Sequence, residues 1–160
     1  MMRGKNAMKT APEPSPRAQL DDFLDRFAPQ VAKTARAVLV KMRKNLPGAV
    51  ELVYDNYNAL AIGFGPSEKT SLCVFSVAVY PRYPSLFFFR CLPLDDPHKL
   101  LRGSGKMTRH IVINDAALLD TPAVKALIAQ ALKKSGNPFL AKARRRIVIK
   151  SISKKQRPRR

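Results

Sequence analysis

Apolar residues recur at helical spacing twice near the start of the chain, at Leu20, Phe23, Leu24 and Phe27 and again at Val31, Ala35, Val38, Leu39, Met42 and Leu46. The spacing predicts a short helix and then a long one that lays a single apolar face on a sheet. Pro29 has no amide hydrogen, so it interrupts the first run but fits the first turn of the second. Leu46-Pro47-Gly48 stops the second helix. The period then shortens. Residues 50–54 and 60–64 flank the polar turn Asp55-Asn56-Tyr57-Asn58 and read as hairpin partners. Residues 71–80 and 85–91 read as two more strands, joined through Pro81-Arg82-Tyr83-Pro84. Consecutive Phe87, Phe88 and Phe89 would point to both faces of the sheet, which suits a strand covered on each side or a face used for contact, with burial the expectation.

Asp95-Asp96-Pro97-His98-Lys99-Leu100-Leu101 reads as a capped helical turn, with acids at its positive end. Residues 110–113 read as a fifth strand and residues 116–119 as a turn of helix. Thr121-Pro122 then opens a helix with Val124, Leu127, Ile128, Ala131 and Leu132 on one face, ended by Gly136. Residues 147–152 form one further strand-like run, which could pair with a sheet edge or with a second copy of the chain in a homodimer. The order implies an α+β domain of two layers: an antiparallel sheet of about five strands packed by a long N-terminal helix and a C-terminal helix. That domain is expected over residues 20–136. A disordered arm precedes it over residues 1–19, where A-P-E-P-S-P buries nothing, and a basic extension follows over residues 137–160.

At 160 residues and 46% hydrophobic content, the chain can bury one core without disulfide or metal staples. Cys73 and Cys91 sit in apolar strand-like runs and fit no metal or redox spacing, so both are expected as buried free thiols in a reducing, cytoplasmic setting. No run reaches the length of a membrane span, and the polar, proline-rich start lacks the apolar stretch of a signal peptide.

Charge changes the picture more than composition does. The formal net charge is +19, and residues 121–160 hold thirteen Lys/Arg and no acid. Arg144, Arg145, Arg146, Lys150, Lys154, Lys155 and Arg157 therefore form a candidate nucleic-acid-binding arm, since cations that displace counterions from phosphates give sequence-independent affinity. Apart from Phe139 the tail has no aromatic residue to stack on bases.

The stretch L-R-G-S-G-K-M-T-R-H, residues 101–110, looks like a phosphate loop but departs from one twice. Leu100 stands where the first glycine belongs, and Met107 replaces the Ser/Thr that would hold magnesium. It reads instead as a tight glycine turn from which Lys106 and Arg109 could attract an anion. With His110, Arg90, Tyr54, Asn56 and Tyr57 these are the polar groups at strand ends and loops from which a ligand site could be built. No nucleophile, paired acids or metal-ligand spacing marks a catalytic centre, so no catalytic residue, metal ligand or cofactor is assigned and a non-enzymatic binding module is expected.

Four segments in order, L-P-G-A-V-E-L-V-Y-D-N-Y-N-A-L from Leu46, S-V-A-V-Y-P-R-Y-P-S-L-F-F from Ser76, L-L-R-G-S-G-K-M-T-R-H-I-V from Leu100 and P-A-V-K-A-L-I-A-Q-A-L from Pro122, resemble the YdhG-like domain-of-unknown-function family. The resemblance covers roughly residues 20–135. It implies a small two-layer α+β domain with an antiparallel sheet packed by helices. Some members are described as frataxin-like intracellular iron chaperones, so the resemblance also implies an iron-binding alternative. Asp21, Asp22 and Asp25 cluster on the first helix, and carboxylates are the oxygen ligands such a role would use. Acids at a helix start also stabilise it against the macrodipole with no metal present.

Overall fold

The computed structural model describes residues 12–90 and 93–160. It contains helices α1 (Pro16–Asp25), α2 (Pro29–Asn45) and α3 (Pro122–Lys134) and strands β1 (Val50–Asp55), β2 (Leu60–Gly65), β3 (Phe75–Val79), β4 (Pro84–Phe89), β5 (Thr108–Val112) and β6 (Arg146–Ile152). One sheet holds all six strands in the order β5-β4-β3-β2-β1-β6. Every neighbouring pair is antiparallel except β1 and β6, which run parallel. The class is α+β, as the periodicity predicts. Among the described residues no helix is long and apolar enough to cross a membrane.

Each helix begins on a proline. The Ser15 hydroxyl caps α1 by accepting the Ala18 amide at 3.1 Å, and the Thr121 hydroxyl accepts the Val124 amide at the start of α3. Because Ser15 and Pro16 start α1, the helix reaches into the arm expected over residues 1–19; residues 1–11 lie outside the described residues. The turn expected at residues 95–101 is not helical. The Asp96 carboxylate accepts both the Leu100 and Leu101 amides, at 2.9 and 2.8 Å, and satisfies that backbone without a helix.

Alternation sets the two faces of the sheet. Val53, Leu60, Ile62, Phe64, Phe75, Val77, Leu86, Phe88 and Ile111 point one way, into a core shared with the buried faces of all three helices. The opposite face has only a small cluster, Val50, Leu52 and Cys73, beneath residues 66–73. The two-sided cover expected for residues 87–89 is therefore not found. Phe88 is buried in the main core, while Phe87 and Phe89 are half-buried on the face without helices.

The basic extension is part of the fold. In β6, Ile147 and Ile149 pack on the main core and Val148 on the smaller cluster, so the strand joins the sheet within the chain. This adds the sixth strand to the five expected. Beyond it, the Ser153 amide donates to the Asp55 carbonyl at 2.8 Å and the Arg157 amide to the Tyr57 carbonyl at 2.9 Å. Arg159, 4% exposed, donates to an Asp55 carboxylate oxygen at 2.8 Å and to the Asn56 carbonyl at 2.7 Å.

Gly48 marks where the crossing chain comes closest. Its φ is +83°, and a Cβ there would lie 1.9 Å from the Leu140 carbonyl oxygen. Gly48→Ala should combine a left-handed backbone with a clash that no rotamer relieves. A loss of at least about 2 kcal/mol is expected in urea unfolding, above the usual Gly→Ala penalty at positive φ.

Candidate functional site

Large and small side chains alternate along β2 as Leu60-Ala61-Ile62-Gly63-Phe64-Gly65 and along β3 as Phe75-Ser76-Val77-Ala78-Val79. The large set fills the core. The register places the small set side by side on the other face, with Ala61 opposite Ala78 and Gly63 opposite Ser76. Those four form the floor of a trough. Tyr54 is opposite Ala61 on the β1 side, while Phe87, opposite Ser76, and its neighbour Phe89 stand on the β4 side.

Two adjoining cavities, about 480 and 580 Å³, occupy this trough and share Ala61, Ser76, Phe89 and Thr108. The first is also lined by Tyr54, Gly63, Cys73, Arg90 and Met107, the second by Tyr57, Asn58, Ala78, Tyr80 and Phe87. Residues 66–73 close one side, and the Tyr54 and Thr70 hydroxyls hydrogen-bond. Gly63 eases this closure: a Cβ there would lie 3.0 Å from the Cys73 sulfur, which lies down onto the sheet and would have to give by a few tenths of an ångström. Burial pushes the Cys73 thiol up from its ordinary value, so it remains protonated and apolar near neutral pH.

The β4 wall is a ladder of rings. Phe87 stacks on Phe89 with centroids 6.3 Å apart and on His110 with centroids 4.9 Å apart, at 23° in both pairs. Desolvation, and secondarily the Arg102 charge, lower the His110 pKa below its ordinary 6.5. In the unfolded chain that histidine takes up a proton near pH 6.5 while the folded one is still neutral. Stability should therefore fall as the pH drops below about 6.5, until the folded-state value is passed. Urea midpoints between about pH 7 and 5 should show the loss, and His110→Phe should reduce it.

Three exposed large apolar residues, Tyr57, Leu72 and Met107, border the same face. Arg90 stands at one end of the trough. Its φ of +54° is left-handed, a conformation that costs a residue with a Cβ roughly 1–2 kcal/mol. Its one side-chain hydrogen bond among the described residues is a long one, 3.4 Å to the Cys73 carbonyl. At the other end Arg157 lies over the Tyr57 ring, 5.7 Å from its centroid, and Ser153, which lines the trough, leads to exposed Lys154 and Lys155.

The six residues singled out for a small-ligand site divide. Tyr54, Tyr57, Arg90 and His110 share the helix-free face. Lys106 and Arg109 line a separate cavity of about 380 Å³ with Leu94, Asp96 and Leu101. Asn56 lines the trough. Of the basic arm, Arg146 pairs with Glu68, the Lys150 ammonium donates to the Glu68 carbonyl at 3.2 Å, and Arg145 reaches the Arg43 carbonyl, while Arg144 is exposed. Phe87 and Phe89, for which a contact face is one of two readings of the sequence, were not placed in the site, and the small-residue floor was missed. The usable signal was the strict large/small alternation in β2 and β3, which leaves space on one face.

Comparison of the chain with protein-family models, with curated proteins and with solved structures gives no match. The floor of the trough admits a flat body, its walls are aromatic, and cations stand at both ends, Arg90 at one and Arg157, Lys154 and Lys155 at the other.

On the first helix, Asp25 accepts Arg36 Nη2 at 2.7 Å, whereas Asp21 and Asp22 are exposed. A cation at this cluster would compete with that guanidinium. Among the described residues no three His, Cys, Asp or Glu side chains converge as a metal-ligand set.

Proposed function

We propose that this protein is a binding module for single-stranded nucleic acid and that the helix-free face of the sheet is the binding surface. The observation that carries the reading is the juxtaposition of Phe87, Phe89, Tyr54 and Tyr57 with the exposed cations Arg90, Lys154, Lys155 and Arg157. Single strands are bound without sequence preference by this pairing of stacking rings with a cationic track. The net charge of +19 supplies the long-range attraction. The basic arm thus acts as one border of a structured surface, and β6 holds it there. Cytoplasmic residence and membership of the YdhG-like family accompany this reading; the buried free thiol of Cys73 is in keeping with a reducing compartment.

Fluorescence anisotropy with a labelled single-stranded oligonucleotide tests the proposal. With about four phosphates neutralised, log K should fall against log salt with a slope near −3, and duplex of the same length should bind more weakly because its bases are not free to stack. Equal binding of duplex and single strand would leave charge as the whole effect and remove the role of the rings.

A further inference from the structure

The trough is not uniform along its length. The end bounded by residues 66–73 is the cavity of about 480 Å³, lined by Tyr54 and Phe89 as well as by Ala61 and Gly63. The hydroxyls of Thr70, Ser71, Ser76 and Thr108 also line it. At its mouth Arg90 keeps a left-handed backbone while its amide donates to the Met107 carbonyl at 2.8 Å. No carboxylate lies in ion-pair contact with Arg90 among the described residues. Lys99 and Asn137 are also left-handed, but of the three only Arg90 lines this cavity, so its guanidinium is the charge available at the mouth.

We infer that this cavity is a subsite for one nucleotide, with the base flat on the Ala61–Gly63 floor between Tyr54 and Phe89 and the phosphate on the Arg90 guanidinium. The inference rests on the single-strand reading above and adds what that reading does not require, a discrete pocket that holds a mononucleotide by itself. Base and phosphate are then recognised by different groups. The rings and floor contribute apolar contact, the hydroxyls offer donors and acceptors to the base edge, and the guanidinium fork suits a phosphate.

Calorimetric titration of the full chain with adenosine and uridine monophosphates, the matching nucleosides and inorganic phosphate separates these contributions. The monophosphates should bind roughly tenfold more tightly than either the nucleosides or phosphate alone. Arg90→Gly should lower monophosphate affinity to the nucleoside level while leaving the thermal midpoint unchanged or higher, because glycine relieves the left-handed backbone. Ala61→Leu, which fills the floor from a half-buried position, should abolish binding of both. If monophosphates bind Arg90→Gly and the unaltered protein equally, or fail to bind while single-stranded oligonucleotides still do, the subsite is overturned and the sheet-face reading stands. If neither monophosphates nor oligonucleotides bind, both are overturned.

Discussion

Asp55→Ala should lower the stability of this protein by about 3–5 kcal/mol, the usual consequence of removing one partner from a buried ion pair. Asp55 is 1% exposed, and its carboxylate accepts Arg26 Nη1 at 3.2 Å and Arg159 Nη2 at 2.8 Å. Arg159 is itself buried over the Phe27 ring, and its Nε and Nη1 already lack hydrogen-bond partners among the described residues. Without Asp55 its charge would be held in the protein by the Asn56 carbonyl and that ring alone. Against a total stability of about 5–15 kcal/mol the loss is large. Replacing both partners, as Asp55→Ala with Arg159→Met, should cost less than Asp55→Ala alone, because no unpaired charge is then left inside. Urea unfolding of the two variants measures this. A single variant within about 0.5 kcal/mol of the unaltered protein would mean that the C-terminal segment is not clasped as described. The same clasp fixes the turn that carries Asn56, Tyr57 and Asn58, so it also positions one wall of the trough.

Phe87→Ala combined with Phe89→Ala should weaken single-strand binding at least tenfold, since base stacking on an aromatic side chain contributes about 1–3 kcal/mol per base. Both rings are half-buried on the helix-free face, so the fold should survive their removal better than that of Phe88, which is fully buried and whose truncation would cost about 3–5 kcal/mol. Lys154→Ala with Lys155→Ala should act differently, flattening the salt dependence by roughly one phosphate contact per cation removed. Anisotropy titrations over a range of salt concentrations separate the two. Unchanged affinity in the phenylalanine variant, with full loss in the lysine variant, would leave binding to the tail charges alone.

Helices and antiparallel strands were legible in this sequence because each is written locally. Pro29 and Thr121-Pro122 mark two of the helix starts, apolar spacing marks the buried faces, and the polar turns mark the hairpins. The sixth strand was visible as Ile147, Val148 and Ile149, but its parallel place beside β1 was not, since that pairing joins segments almost a hundred residues apart with no turn to announce it. The charge of the tail pointed to an extension outside the domain of residues 20–136. Three short-range facts overrule it: the isoleucines alternate into the core, Arg159 finds Asp55, and the Asp55 and Tyr57 carbonyls accept tail amides. Residues 95–101 carried the acids of a helix start, yet one aspartate satisfied two amides and Lys99 took a left-handed backbone, which ended the turn there.

The trough was the least legible part, for a physical reason. A binding face made of missing volume leaves weak marks in a sequence, and Ala61, Gly63, Ser76 and Ala78 look unremarkable one at a time. Only their register across two strands puts them together. Arg90, Tyr54 and Tyr57 were recognisable as polar groups at strand ends, but only the structure sets them apart from Lys106 and Arg109, which line a different cavity.

The central claim concerns where the single strand lies, and an amide chemical-shift titration of isotopically labelled protein with a short single-stranded oligonucleotide tests it most directly. The account predicts that the largest shifts fall on Ala61, Gly63, Ser76, Ala78, Phe87, Phe89, Arg90 and Thr108, with smaller ones at Tyr57 and at Lys154 to Arg157. Shifts confined to the tail and to the exposed ends of the helices, with the trough residues unmoved, would contradict it.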